Sequence, residues 1–139
     1  MRLSYTYLAL LAAVLAFTAC DDDDDAAASC TAADFVGTYT GTGDCDDYES
    51  AVSVVITPGS TSDAIDIELT ETSLDSTIFF EVTTELDDVV VEGCSATLSG
   101  SEDGVTVSFV TTLDDGRIEI VSTFTEDGES DVCTYTATR

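Results

Sequence analysis

Three acidic turns, Glu102-Asp103-Gly104, Asp114-Asp115-Gly116 and Glu126-Asp127-Gly128, place their glycines twelve residues apart. Glycine supplies the positive φ that tight hairpins need, and an acidic residue before it tolerates the same region. Between the turns the apolar residues keep a period of two. Val105, Val107 and Phe109 alternate with Thr106 and Ser108, and Ile118, Ile120 and Phe124 alternate with Glu119 and Thr123. Short turns between half-buried strands leave no length for a crossover helix, so this half of the chain is an antiparallel meander.

The same pattern runs back through the chain. Residues 35–41 (FVGTYTG) form the first predicted strand, with Tyr39 inward. In 51–57, Val52, Val54 and Ile56 share a face; in 64–70, Ile65, Ile67 and Leu69 face in while Asp66 and Glu68 face out. A strand over 77–83 puts Ile78, Phe80 and Val82 inward and leaves Phe79 outside. Residues 89–99 read either as two strands about Gly93 or as one strand bulged there. Residues 132–138 make the last strand, and no stretch holds a helical period for three turns. The fold class is all-β: an antiparallel up-and-down barrel of about eight strands, with an immunoglobulin-like β-sandwich as the alternative. The barrel is favoured because every strand follows its neighbour by a short turn. The chain also has no tryptophan to fill a sandwich core.

Five cysteines are present; Cys45, Cys94 and Cys133 lie within the strand-forming part and Cys30 just ahead of it. Their gaps of 15, 49 and 39 residues do not offer the closely spaced pairs of a zinc site, and the chain has no histidine. Two disulfides are expected, and strand parity chooses between pairings. With 89–99 as one bulged strand the barrel has eight strands. Cys45–Cys133 then staples the closure and Cys30–Cys94 pins the N-terminal segment. With nine strands the ends swap, favouring Cys45–Cys94 and Cys30–Cys133.

Ahead of this domain stands a different kind of sequence. Residues 1–19 carry Arg2 and then an apolar run over 7–17, too short to span a bilayer, which reads as a signal segment. It ends in Phe17-Thr18-Ala19-Cys20, followed by five aspartates at 21–25. FTAC resembles the lipobox of bacterial lipoproteins, with Phe17 where Leu is usual. The resemblance implies that Cys20 is lipidated and becomes the new N-terminus. Several acyl chains, palmitate among them, would hold the protein firmly where one chain binds only reversibly. The aspartate run is similar to the export signal of Bacteroidetes-type surface lipoproteins, which implies the outer leaflet of the outer membrane; a plain solvated spacer is the alternative. The stretches FVGTYTGTGDC and DVCTYTATR resemble small lipocalin-like domains of such lipoproteins. The expected organisation is a signal peptide over 1–19, the lipidated cysteine and acidic tether over 20–34, and a lipocalin-like barrel over 35–139.

Composition narrows the function. The chain holds 29 acidic residues, all after Cys20, and three basic ones, all arginine, for a formal charge of −26. It should repel nucleic acid and anionic membrane surfaces, and its lack of lysine fits a saline habitat. Without histidine or lysine, and without a Gly-x-Ser-x-Gly elbow, no tuned base or nucleophile is apparent, so no enzyme activity is expected. Asp44, Asp46 and Asp47 are spaced like oxygen ligands for a weak calcium site, though no twelve-residue calcium loop surrounds them; otherwise no cofactor is implied. The inward set fills most of an eight-stranded barrel. Within it Tyr39, Phe80, Phe109 and Phe124 are the candidates to line a pocket. The reading is a monomeric, lipid-anchored envelope protein that is a non-catalytic binding or structural module. The alternative is a carrier of a small apolar ligand in the barrel.

Overall fold

The computed structural model describes residues 29–75, 77 and 79–139. The signal segment, Cys20 and the aspartate run lie outside them, as does Ile78. Eight antiparallel strands follow one another around a closed barrel: β1 (Gly37–Cys45), β2 (Tyr48–Pro58), β3 (Ala64–Ser73), β4 (Glu81–Glu92), β5 (Ser95–Glu102), β6 (Val105–Asp114), β7 (Arg117–Glu126) and β8 (Glu129–Thr138). β8 closes on β1, in register from Thr40 opposite Thr138 to Cys45 opposite Cys133. Among the described residues no helix is long and apolar enough to cross a membrane.

The three acidic turns explain the regularity of β5 to β8. Asp103, Asp115 and Asp127 sit at φ 51, 45 and 52°, and Gly104, Gly116 and Gly128 at 87, 77 and 85°. Two successive positive φ values make a turn whose twist matches that of the flanking strands. Each loop is two residues long, which locks the register of the hairpin.

Two strand boundaries differ from those predicted, and the differences offset each other. Residues 81–83 and 89–92 do not belong to separate strands: β4 runs through both, and it starts at Glu81 instead of residue 77. At its middle, Leu86 pairs with Ile67 and Val89 with Ile65, so β4 carries an extra residue there. Asp88 takes φ 54° at this bulge, and its N–H is satisfied by the Asp66 carboxylate at 2.8 Å. The bulge switches the inward face from even residues (Leu86) to odd ones (Val89), which hides strand continuity from a period-two reading. Residues 89–99 in turn split at Gly93, φ 62°. Eight strands result, and the disulfides are Cys30–Cys94 and Cys45–Cys133.

The first strand begins at Gly37, not at residue 35. Phe35 instead ends a single helical turn, α1 (Ala32–Phe35). Asp34 starts that turn by accepting hydrogen bonds from the Thr31 backbone N–H and hydroxyl, both at 2.7 Å. The turn drops Phe35 into the lower mouth of the barrel, where it is wholly buried. Residues ahead of 35 thus pack against the barrel, with Cys30 tied to Cys94 in the β4–β5 turn.

Tyr39, Val52, Val54, Ile56, Ile65, Ile67, Leu69, Ile118 and Ile120 are buried as expected. Phe80, Val107 and Phe109 are half-buried, and two residues of the inward set are exposed. Val82 is 49 % and Phe124 42 % exposed. Alternation does aim both inward, since Val82 pairs with buried Glu71 and Phe124 with Val107. What they lack is an opposite wall. β1 stops at Cys45, whereas β7 and β8 run on to Glu126 and Glu129, and β4 and β5 part company early.

Candidate functional site

The two ends of the barrel are built differently. The lower end carries both termini of the described chain and is sealed. The Tyr39 hydroxyl donates to the Phe35 carbonyl at 2.7 Å and accepts from Arg139 Nε at 3.1 Å. The Arg139 guanidinium lies 5.2 Å from the centre of the Tyr39 ring and also donates to the carbonyls of Asp34 and Val36. The last residue of the chain thus clamps the helical turn that plugs the barrel.

The upper end is open and polar. Ser50 on β2, Glu71 on β3 and Tyr135 on β8 point into the upper interior, 0, 8 and 4 % exposed. The Ser50 hydroxyl donates to Glu71 Oε1 at 2.9 Å and the Tyr135 hydroxyl to Oε2 at 3.0 Å. Burial pushes the Tyr135 phenol far above its ordinary value; a hydrogen bond from Ser122 works against the shift and Glu71 adds to it. Burial and then Glu71 raise Tyr48 as well. Both phenols stay protonated as donors at neutral pH. Neither arginine of the domain shares this space, for Arg117 follows the lower β6–β7 turn, beside Glu119 at 3.9 Å, and Arg139 holds the lower plug.

Above this cluster Tyr48 and Phe80 meet edge to face, centroids 5.1 Å apart at 84°. They border a cleft of about 380 Å³ that also takes in Asp47, Leu74 and Asp75. On the other side an open trough of about 580 Å³ runs over Gly100, Val105 and Val107. Leu74 and Phe79, at the β3–β4 loop, are 57 and 87 % exposed.

The structure does not bring the four candidate aromatics into one pocket. Tyr39 is committed to the lower plug, Phe109 packs half-buried against the core, and only Phe80 and Phe124 stand at the upper end. Asp44, Asp46 and Asp47 are all exposed around the β1–β2 turn, where Asp46 accepts from the Val132 N–H at 3.5 Å. Among the described residues no three acidic, cysteine or histidine side chains are grouped to hold a metal ion. Cys20 lies outside the described residues.

The Glu71 cluster was not singled out from the sequence, yet its signal was there. Ile65, Ile67 and Leu69 set the inward parity of β3, and the next inward position is 71. Val52 sets that of β2, and the next position upward is Ser50. The predicted strands stopped one residue short of both. The chain matches no family model, no curated protein and no solved structure.

Proposed function

We propose that this protein is a lipoprotein of the bacterial outer membrane, anchored through Cys20 and exposed at the cell surface, whose barrel is a non-catalytic binding module. The observation that carries this reading is the position of the tether. The chain enters the barrel at the sealed lower end, where Cys30 is bonded to Cys94. Eight residues lie between Cys20 and Ser29 at the start of the described domain, a reach of at most about 30 Å when extended. An anchor at Cys20 therefore holds the closed end towards the bilayer and presents the open end away from it.

Burial of polar groups supports binding at that end over transport of an apolar ligand. The lower interior is filled by Phe35, Tyr39 and the aliphatic residues of β2 and β3. The upper interior is occupied by a carboxylate and its donors, a poor lining for an apolar molecule. Exposed Leu74 and Phe79 beside the upper cleft are apolar surface of the kind that partners cover.

Anchoring is tested by expressing the full chain in a bacterial host with labelled palmitate. Label should enter the wild-type chain and be absent from Cys20→Ser, which should leave the membrane fraction. An unlabelled wild-type chain found outside the membrane fraction would overturn the anchor.

A further inference from the structure

The barrel wall is not continuous. β4 and β5 are adjacent in the closed sheet, but they pair only through Val91 with Ala96 and Glu92 with Ser95. Every other neighbouring pair is in register over at least six residues. Above Ala96 the two strands separate, each still bonded to its other neighbour. The bulge at Asp88 bends β4 at the point where the gap opens. Alternate residues of 97–102 on β5 therefore present N–H and C=O groups to the gap with no strand opposite them.

This edge is unguarded over 97–101, with Glu102 closing its upper end. Exposed strand edges are ordinarily blunted by lysine, proline or inward charge. Residues 97–101 of β5 are Thr, Leu, Ser, Gly and Ser. Gly100 stands out among them. Its φ is not positive, and a Cβ added there would touch nothing. By contrast, a Cβ at Gly41 would fall 1.8 Å from the Thr136 carbonyl oxygen. Glycine weakens a strand interior relative to alanine. With neither a turn nor a packing reason for it, Gly100 leaves room for another backbone to approach closely.

We infer that the β4–β5 gap receives an extended segment of a partner protein, added as a strand along β5, with basic residues alternating with apolar ones. Strand addition supplies affinity through main-chain hydrogen bonds and specificity through alternate side chains. One face of the incoming strand meets Leu98 and the open space at Gly100, which take apolar side chains. The other passes the exposed carboxylates of Glu81, Glu85 and Asp87 on β4, which take lysine or arginine. A second copy of this chain is disfavoured, because its own acidic surface would be repelled. The inference deepens the binding-module reading and rests on it, but it does not depend on the anchor at Cys20.

The test uses the full chain in non-ionic detergent and a fluorescent ten-residue peptide of alternating lysine and valine. Without peptide, the gap-facing amides of 97–102 should exchange with solvent faster than those bonded to β6; with peptide they should become protected. Methylating the peptide's alternate backbone nitrogens should weaken binding by about tenfold or more, because it removes strand pairing and keeps the charge. The surface variant Glu85→Lys/Asp87→Lys should also weaken it, and an alternating glutamate–valine peptide should not bind. Amides already protected in the free chain, no binding of the basic peptide, or binding indifferent to backbone methylation would each overturn the inference. Palmitate labelling of Cys20 reads the anchor separately, so a failed peptide leaves that part of the proposed function standing.

Discussion

At the lower end of the barrel Phe35 and Tyr39 are wholly buried, and the terminal arginine clamps them. At the upper end Phe79 is 87 % exposed and the interior holds a carboxylate instead of an aliphatic side chain. The two ends come from the same strands and each carries one disulfide. They differ in what the inward alternation delivers: aliphatic residues at the bottom of β2 and β3, then Ser50 and Glu71 at the top. One end is invested in stability, while the other keeps polar groups and sheet edges within reach of a partner.

The comparison is broken most directly at the plug. Phe35→Ala removes a fully buried ring from a site enclosed on every side, and the loss should be about 3–5 kcal/mol. Phe79→Ala removes a larger exposed area but no packing, and should change stability by less than about 0.5 kcal/mol. Urea unfolding of both variants, with disulfides intact, reads the difference. Equal losses would mean that the upper end packs as tightly as the lower.

Glu71→Ala comes next. It leaves Ser50 and Tyr135 without their acceptor in a buried space, which should cost about 1–3 kcal/mol. Glu71→Gln retains an acceptor and should cost less. If water reaches the cluster freely from the open end, the two variants will unfold at the same urea concentration. The upper interior would then be a wet vestibule in place of a structured floor.

Alternation and turn chemistry made most of this architecture legible. The Asp-Gly turns announced β6, β7 and β8 though not all of their ends, and barrel closure with eight strands pointed to the disulfides. What escaped was wherever the period of two fails or ends. The bulge at Asp88 inverted the parity of β4, so one strand read as two pieces. Phe35 satisfied the apolar pattern of a strand, but Thr31 and Asp34 start a helical turn before it, and only the lower opening of the barrel gives that turn a reason. The exposure of Val82 and Phe124 depends on how far the opposite wall extends, a property of register that no single strand carries. The gap above Ala96 is of the same kind.

The finest comparison is of how Tyr135 above and Asp34 below respond to pH, because the two are shifted in opposite ways. Burial raises the Tyr135 phenol at the upper end far above its ordinary value of 10.0. Above that value the unfolded chain releases the proton while the folded chain keeps it, so the unfolded state binds fewer protons and stability falls as pH rises. Tyr135→Phe should flatten this alkaline fall in melting temperature. At the lower end the Thr31 backbone N–H, then its hydroxyl, and the Arg139 charge hold Asp34 below its ordinary 3.8. There the unfolded chain takes up the proton first, so this contribution is complete above the ordinary value and is lost as pH falls through the folded one. Asp88, lowered by the Ser60 N–H, and Asp75, lowered by the Thr77 hydroxyl and N–H, titrate in the same sense. Asp34→Asn should therefore remove only part of the acid dependence and leave the alkaline limb untouched. Asp34→Asn should alter the acid limb alone, and a change in the alkaline limb as well would show that the two ends unfold as a single electrostatic unit.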